Sequence, residues 1–288
     1  MTRVATYVFI DFETTSLPKE DHNRTRITEL SFIAVKRAHI LDTEIGDAPR
    51  VQQKVTLCLY PGRMICPTST KITKLSNELL EHETKFNDNV YNILNTFLNI
   101  LTKPVCLVAQ NGLRFDFPIL KNHLDKLGKC FPEDLLCADS YHCFFDILEC
   151  PEDNNTINMN NQSTTSIDKT FLEENLLQKN TLEMKSINES TPKRRINNGR
   201  MEPVNREKLK RRFVWSDGER PKKGYKLGQI YEKLLKTPSI DAHQAEADSF
   251  MTLKCAVAVK NKFVDWVDNN FLHFSDIKPM TIGIPIGE

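Results

Sequence analysis

The sequence has no apolar run of the roughly 18 residues that a transmembrane helix needs. Its first apolar stretch is short and runs directly into Asp11, which does not resemble a secretory signal. The eight cysteines include no CxxC pair, and Cys137, His142 and Cys143 are poorly spaced for a zinc site. These absences predict a protein of the cytoplasm or nucleus, with reduced thiols and no membrane segment.

The chain also has little net charge, +1 over 288 residues, but that charge is unevenly distributed. Residues 193–223 contain twelve Lys or Arg and four Asp or Glu, a local net charge of +8, which leaves −7 for the remainder. A basic segment on a mildly acidic body is typical of contact with nucleic acid. A solvated linker and a nuclear-import signal remain alternative interpretations.

Composition divides the chain into three parts. Residues 151–223 are rich in Asn, Ser, Thr, Glu and Lys and poor in aromatic residues, which predicts a disordered, basic insertion. A short helix at residues 173–185 is an alternative within this segment. The segment is too long for an ordinary connection inside a compact domain. Residues 1–150 and 224–288 are therefore predicted to be the first and last parts of a single domain.

The two flanking parts alternate strand and helix patterns. β-Branched and aromatic residues predict strands at 7–11, 27–35, 55–60, 105–112 and 137–140. Apolar residues at helical spacing and helix-forming composition predict helices at 86–101, 116–128, 224–235 and 242–267. This alternation predicts an α/β fold built around a central sheet.

Two carboxylates interrupt the first predicted strand. In VFIDFETTSLP (8–18), Asp11 and Glu13 share one face because strand side chains alternate with a period of two. Like charges on neighbouring positions repel one another and are costly to bury without a compensating charge. The pattern predicts that something positive lies between them.

Three further residues are candidates for the same site. Asp116 lies at a predicted helix start, and His243 and Asp248 lie at the beginning of the last long helix. Strand ends and helix starts converge at one edge of an α/β sheet. Oxygen ligands without thiolate favour Mg²⁺ or Mn²⁺, and two such ions support in-line phosphoryl displacement. Each residue alone has a more ordinary interpretation, such as a helix cap or a solvated charge; the case rests on all five together.

Several segments resemble the three-prime repair exonuclease family, within the DEDDh group of 3′→5′ exonucleases. They are VFIDFETTSLP (8–18), ITELSFIAVKR (27–37), LVAQNGLRFDFPIL (107–120), YKLGQIY (225–231) and DAHQAEAD (241–248). The resemblance covers nearly the whole chain outside 151–223. It implies an RNase H-like (exonuclease) fold, with a central mixed β-sheet flanked by helices.

The resemblance also implies roles for individual residues. Asp11, Glu13, Asp116 and Asp248 would bind two Mg²⁺ ions, for which Mn²⁺ can substitute, and His243 would be the general base. Substrate contacts would come from the backbone of Glu13 and Thr14 at the 3′ end, and from Leu17, Ile72, Arg114 and Phe115. Leu17 and Ile72 match positions that pack against the terminal bases. Arg114 is a candidate phosphate contact or, equally, a structural salt bridge.

The implied activity is release of nucleoside 5′-monophosphates from single-stranded or frayed 3′ ends of DNA, in repair or in DNA degradation. An RNA 3′-exonuclease of the same fold and a catalytically silent nucleic-acid-binding protein are the alternatives. Gln110 stands where the family has histidine, so any contribution of that histidine to the rate is missing. Ala247 replaces a glycine. Family members form homodimers through edge strands, a role that residues 55–60 could fill.

Overall fold

A six-stranded sheet forms the centre of this computed structural model, which describes residues 3–149, 225–239, 243–284 and 286. In chain order the strands are β1 (Thr6–Thr14), β2 (Ile27–Lys36), β3 (Gln53–Cys58), β4 (Val105–Ala109), β5 (Leu136–Asp139) and β6 (Leu272–His273). Their order across the sheet is β3-β2-β1-β4-β5-β6. β1 pairs antiparallel with β2 and parallel with β4, so the sheet is mixed and the predicted fold class is confirmed.

Helices accompany the sheet in chain order as α1 (Arg37–Asp42), α2 (Pro67–Thr73), α3 (Asp88–Ile100), α4 (Asp116–Lys126), α5 (Ser140–Glu149), α6 (Leu227–Leu235), α7 (Ala245–Ala258) and α8 (Lys260–Asn270). The described residues all belong to one compact unit. No helix in this described part is both long and apolar enough to cross a membrane. The predicted insertion at 151–223, with its alternative helix at 173–185, lies outside the described residues.

Side-chain alternation along β1 separates two hydrophobic cores. Val8, Ile10 and Phe12 pack into the core that includes α3 and α4. Tyr7 and Phe9 pack into the opposite core, which includes residues of α5, α6, α7 and α8. The strand is buried on both faces, which explains its almost continuous apolar sequence. Asp11 and Glu13 continue the face of Tyr7 and Phe9, so they lie on the α7 side of the sheet.

Some predicted boundaries were wrong. The expected single helix at 242–267 is two helices, α7 and α8, separated at Val259, whose φ of −121° and ψ of 30° are not helical. An apolar pattern that continues across one irregular residue cannot reveal such a break. The expected strand at 105–112 ends at Ala109, because Asn111 takes a left-handed φ of 60° and a 3₁₀ turn begins at Gly112. The short helices α1, α2 and α5 were not predicted.

The helix α3 shows how local sequence sets the elements that support the sheet. The side-chain oxygen of Asn87 accepts hydrogen bonds from the backbone N–H groups of Asn89 and Val90, at 3.0 and 3.2 Å, and so caps the helix. Val90, Leu94 and Leu98 recur every four residues and are buried against the sheet. The helix therefore forms one wall of the core on the Phe12 side.

Candidate active site

The face of β1 that meets α7 carries the first two candidate ligands. Asp11 and Glu13 are partly buried near the carboxyl end of the strand. The pairing of β1 with β2 becomes irregular between Glu13 and Thr14. Irregularities of this kind frequently re-aim side chains near functional sites. The strand therefore delivers two carboxylates to the edge of the sheet before its regular pairing ends.

The start of α7 brings two more candidates to the same place. One ligand atom each from Glu13, His243 and Asp248 lie within 4.8 Å of one another. The backbone N–H of His243 donates to Oδ2 of Asp248 at 2.7 Å, and His243 has a left-handed φ of 78°. Asp248 is buried in the first turn of the helix, whereas the His243 side chain is exposed. The segment before α7 is thus folded back onto its own first turn.

A tight turn after β4 places Asp116. Gly112 is required there, because a Cβ atom would lie 2.7 Å from the Cβ of Ala109 and 2.8 Å from Cε2 of Phe117. The buried carboxylate of Asp139 accepts hydrogen bonds from the N–H groups of Asn111, at 2.9 Å, and Leu113, at 3.1 Å. The turn ends at Asp116, the first residue of α4.

Asp116 itself is almost completely buried, with 1% of its surface exposed. Its Oδ1 atom has no hydrogen-bond partner among the described residues. An unsatisfied buried carboxylate oxygen is costly in a native protein and calls for an explanation. A bound cation would supply the missing partner.

The carboxylates of the site raise one another's pKa values. Burial raises the pKa of Asp11 well above its usual range, with further increases from Asp116, Asp248 and Glu13. Burial, Asp248 and Glu29 raise the pKa of Glu13 to about 7. These shifts mean that the ionised carboxylates repel one another across the site. Asp11 and Asp116 therefore belong to the same electrostatic cluster as Glu13 and Asp248, although they are outside the 4.8 Å group.

The remaining acids follow the same pattern. Burial raises the pKa of Asp116 well above its usual range; hydrogen bonds from its own backbone and from that of Phe12 oppose this, while Asp139 and Glu13 add to it. Burial also raises the pKa of Asp248, which the backbone N–H and the charge of His243 partly offset. Carboxylates crowded in this way, with one buried oxygen unpartnered, fit a hard divalent cation. Among the described residues, Glu13, His243 and Asp248 form a possible metal site.

Glu29 is a component that sequence reasoning missed. It lies directly opposite Glu13 in the pairing of β1 with β2. Its Oε2 atom accepts a hydrogen bond from the backbone N–H of Ala245, the first residue of α7, at 2.9 Å. This bond fixes the beginning of the helix that carries Asp248. The period of two in ITELSFIAV places Glu29 on the same strand face as Ile33 and Val35, and that signal could have indicated it.

The predicted substrate positions lie on segments around this edge. Leu17 and Ile72 are both exposed, with 54% and 42% of their surfaces accessible. Their segments are joined by a hydrogen bond from the Cys66 N–H to the Thr15 carbonyl, at 2.8 Å. Two exposed apolar side chains on adjoining segments suit contact with an apolar ligand surface.

Thr14, Arg114 and Phe115 are less accessible. Thr14 is buried and its hydroxyl donates to the carbonyl of Ser16 at 3.0 Å. Arg114 and Phe115 are half-buried, and Phe115 packs against the core on the Phe12 side.

Gln110, which replaces the histidine of the family that the sequence resembles, has a structural role. Its amide nitrogen donates to the carbonyl of Tyr225 at 3.2 Å, and its amide oxygen accepts from the Ser140 hydroxyl at 2.7 Å. The side chain therefore connects β4 to α5 and to the segment that precedes α6.

Comparison with known proteins agrees with this architecture. The family model described as Exonuclease matches residues 8–149. Three prime repair exonuclease 2 of Mus musculus is 41% identical over 145 residues, and Three-prime repair exonuclease 1 of Homo sapiens is 27% identical over 286 residues. By sequence, this chain is similar to the three-prime repair exonucleases. The mouse alignment covers 48% of this chain and 60% of that relative, and the human one covers 96% and 70%.

Solved structures of exonucleases show the same fold. The zinc-bound E. coli ExoI–ssDNA complex has a TM-score of 0.53 at 15% identity, over 92% of this chain and 43% of that one. The 3′-exonuclease described in 3′-end-specific recognition of a histone mRNA stem-loop has a TM-score of 0.52 at 12% identity, over 99% and 97%. At these identities the likeness establishes the fold alone.

Proposed function

We propose that this protein is a metal-dependent 3′→5′ DNA exonuclease that releases nucleoside 5′-monophosphates from single-stranded or frayed 3′ ends. The observation that carries the proposal is the convergence of Glu13, His243 and Asp248 within 4.8 Å of one another, at the carboxyl end of β1. Asp11 and Asp116 are coupled electrostatically to the same cluster. Similarity to the three-prime repair exonucleases supports the choice of phosphodiester hydrolysis.

The residues suited to hold two Mg²⁺ ions, or Mn²⁺ in their place, are Asp11, Glu13, Asp116 and Asp248. When bound, such ions stabilise the charge on the attacking and leaving oxygens of an in-line phosphoryl displacement. The four carboxylates form one electrostatic cluster, and a bound cation would give the unpartnered oxygen of Asp116 a partner. Mutual repulsion among the acids would be relieved by the same event.

His243 is proposed to take the proton from the attacking water. Its backbone is anchored by the hydrogen bond to Asp248, whereas its side chain faces solvent. Imidazole is the side chain best suited to accept a proton at neutral pH. The left-handed backbone at His243 is a strained conformation for a residue with a side chain, of the kind that clusters at active sites.

The 3′ end of the DNA is proposed to lie over the carboxyl end of β1. Leu17 and Ile72 would pack against the terminal bases, since both are exposed apolar side chains. The backbone at Glu13 and Thr14 would hold the 3′-hydroxyl. Arg114 would contact a phosphate, and Phe115 would lie beside the scissile nucleotide.

The proposed activity is tested with the full chain and end-labelled single-stranded DNA and RNA, in Mg²⁺ or in EDTA. Mg²⁺-dependent shortening of DNA from its 3′ end is expected, and preferential shortening of RNA would favour the RNA exonuclease. Asp248→Asn should remove nearly all turnover while the protein folds normally. Asp265→Asn, the same change at an exposed position of α8, is the matched control. Wild-type protein that binds DNA but never shortens it would contradict the proposal.

A homodimer formed through β3 is proposed as well. The strand lies at the edge of the described sheet and its residues are exposed or partly exposed. An edge strand presents unpaired backbone groups that can pair with a second copy. Light scattering after size-exclusion chromatography should give twice the chain mass of 33.2 kDa; a single-chain mass at all concentrations would refute it.

A further inference from the structure

A second concave site is lined by none of the residues assigned to catalysis. It is a cavity of about 650 Å³, within the usual range for small-molecule sites. Its walls come from the segments before β2 and after β3, from the residues that precede α3, and from the second half of α4.

The cavity concentrates positive charge. Five of its lining residues are cationic, and none of its described lining residues is Asp or Glu; the five are Arg24, Arg26, Arg63, Lys85 and Lys126. Asp21, from outside this lining, lies 3.4 Å from Arg63 and provides one negative charge. Burial and the charge of Arg63 lower the pKa of Arg26, and burial and Arg26 lower that of Lys126. These cations repel one another.

Cations elsewhere on the surface are arranged differently. Lys54 lies 2.8 Å from Glu246, and Lys103 lies 2.7 Å from Asp134. Lys54 and Lys103 therefore form ordinary surface salt bridges. Among the described residues the five cations of the cavity form only one ion pair, Arg63 with Asp21, and such an excess of positive charge suits an anion-binding site.

The rest of the lining is aromatic or apolar. Tyr60, Phe86, Ile27 and Ile282 contribute to it, and His123 lies beside Phe86 with ring centroids 5.0 Å apart. Nδ1 of His123 lies 2.9 Å from the carbonyl oxygen of Ile119, which makes Nδ1 the donor and leaves Nε2 as an acceptor. Burial lowers the pKa of His123 to about 4, so this ring is neutral at physiological pH. Planar apolar groups beside a hydrogen-bond acceptor suit a nucleobase.

We propose that this cavity binds a nucleotide, with its phosphate among Arg26, Arg63 and Lys126 and its base against Tyr60 and Phe86. Guanidinium and ammonium groups bind phosphate oxygens through charge-assisted hydrogen bonds. A free nucleoside 5′-monophosphate and one nucleotide within a DNA strand share this chemistry. The inference goes beyond the proposed hydrolysis, because none of the carboxylates of the active site lines the cavity.

The test measures binding to the full chain in EDTA, so that binding through divalent cations is excluded. The probes are dAMP, inorganic phosphate, adenosine and a short single-stranded oligonucleotide, each followed by isothermal titration calorimetry. The test variant combines Arg26→Gln and Lys126→Gln. The control is Lys121→Gln, also on α4, whose ammonium group lies over the Phe274 ring and not in the cavity.

We expect dAMP to bind the wild type and the Lys121→Gln control equally, and the double variant at least about 10-fold more weakly, as loss of charged hydrogen bonds predicts. Inorganic phosphate and adenosine should each bind more weakly than dAMP. If only oligonucleotide binding falls in the double variant, the ligand is a nucleotide of a strand; if dAMP binding falls too, a free nucleotide suffices. The proposal would be overturned if the double variant and the control bound dAMP equally and also bound the oligonucleotide equally.

Two further measurements separate this cavity from the catalytic carboxylates. The NMR signals of the His123 ring should shift when dAMP is added, and Asp116→Asn should leave that shift unchanged. Loss of dAMP binding in Asp116→Asn, without loss in the cavity variant, would also overturn the proposal. The melting temperature of the double variant should not fall, because the two substitutions remove cations that repel one another. If the double variant does not fold, Lys126→Gln alone, at an exposed position, repeats the test.

Discussion

Replacing Glu13 with glutamine is expected to stabilise the metal-free protein at alkaline pH and to abolish its stabilisation by magnesium. Burial, Asp248 and Glu29 raise the pKa of Glu13 from 4.5 to about 7. An ionised Glu13 is therefore unfavourable in the folded protein without a cation. Glutamine keeps nearly the same shape but carries no charge to desolvate or to repel its neighbours.

The direction and size of the effect follow from proton binding. Because the folded pKa lies above the unfolded one, the folded state binds more protons between pH 4.5 and about 7. The free energy of unfolding therefore falls as the pH rises through that window, and no further above it. At about 1.4 kcal/mol per pH unit, the cost of Glu13 reaches on the order of 3 kcal/mol. Below pH 4.5 the carboxyl is protonated in both states and the cost vanishes.

Urea unfolding in EDTA measures this difference for the wild type, Glu13→Gln and the control Glu20→Gln, an exposed glutamate. The Glu13 variant should match the wild type near pH 4.5 and exceed it by up to about 3 kcal/mol near pH 8. Added Mg²⁺ near pH 8 should stabilise the wild type and the control but not the Glu13 variant. Stability curves for Glu13→Gln and wild type that run parallel at every pH would show that an ionised Glu13 has no such cost in the folded protein.

Three other predictions concern separate parts of the chain. Burial lowers the pKa of His123 from 6.5 to about 4, so the free energy of unfolding should fall by on the order of 3 kcal/mol as the pH drops through that window. His123→Gln should reduce this loss of stability at low pH. A melting temperature that depends on pH in the same way in the variant and the wild type would contradict the prediction. Glu29→Gln weakens the acceptor of the hydrogen bond from the Ala245 N–H, so kcat should fall about 10-fold with little change in KM. A change in KM alone would argue against a role of Glu29 in positioning α7. The basic residues of 193–223 are proposed to neutralise DNA phosphates, so deleting residues 151–220 should raise the KM for DNA and reduce its dependence on salt. If KM and its salt dependence do not change, the segment is a linker or an import signal instead.

The sequence was informative where burial imposed a continuous pattern. β1 and β2 are buried on both faces, so their apolar runs were recognisable and both strands were found. α2 and α5 were missed because the first has seven residues and the second begins directly at the end of β5. Neither leaves a long periodic signal. The turn from β4 to α4 was recognisable from Asn-Gly, since only glycine fits beside Ala109 and Phe117.

The site was predictable only in part, for physical reasons. Strand periodicity placed Asp11 and Glu13 on one face, and the structure puts that face against α7. The contributions of Glu29 and Asp139 depend on which backbone N–H groups their carboxylates accept, which tertiary pairing decides. The catalytic and metal-binding roles of the predicted residues remain predictions, as do the substrate contacts.

Carboxylates that are distant along the chain are proposed to bind divalent metal ions together. Anomalous scattering from crystals soaked in Mn²⁺ tests this binding. We expect anomalous peaks among the side-chain oxygens of Asp11, Glu13, Asp116 and Asp248, and loss of those peaks in Asp116→Asn. Carboxylates that stay apart with no anomalous density among them would contradict it.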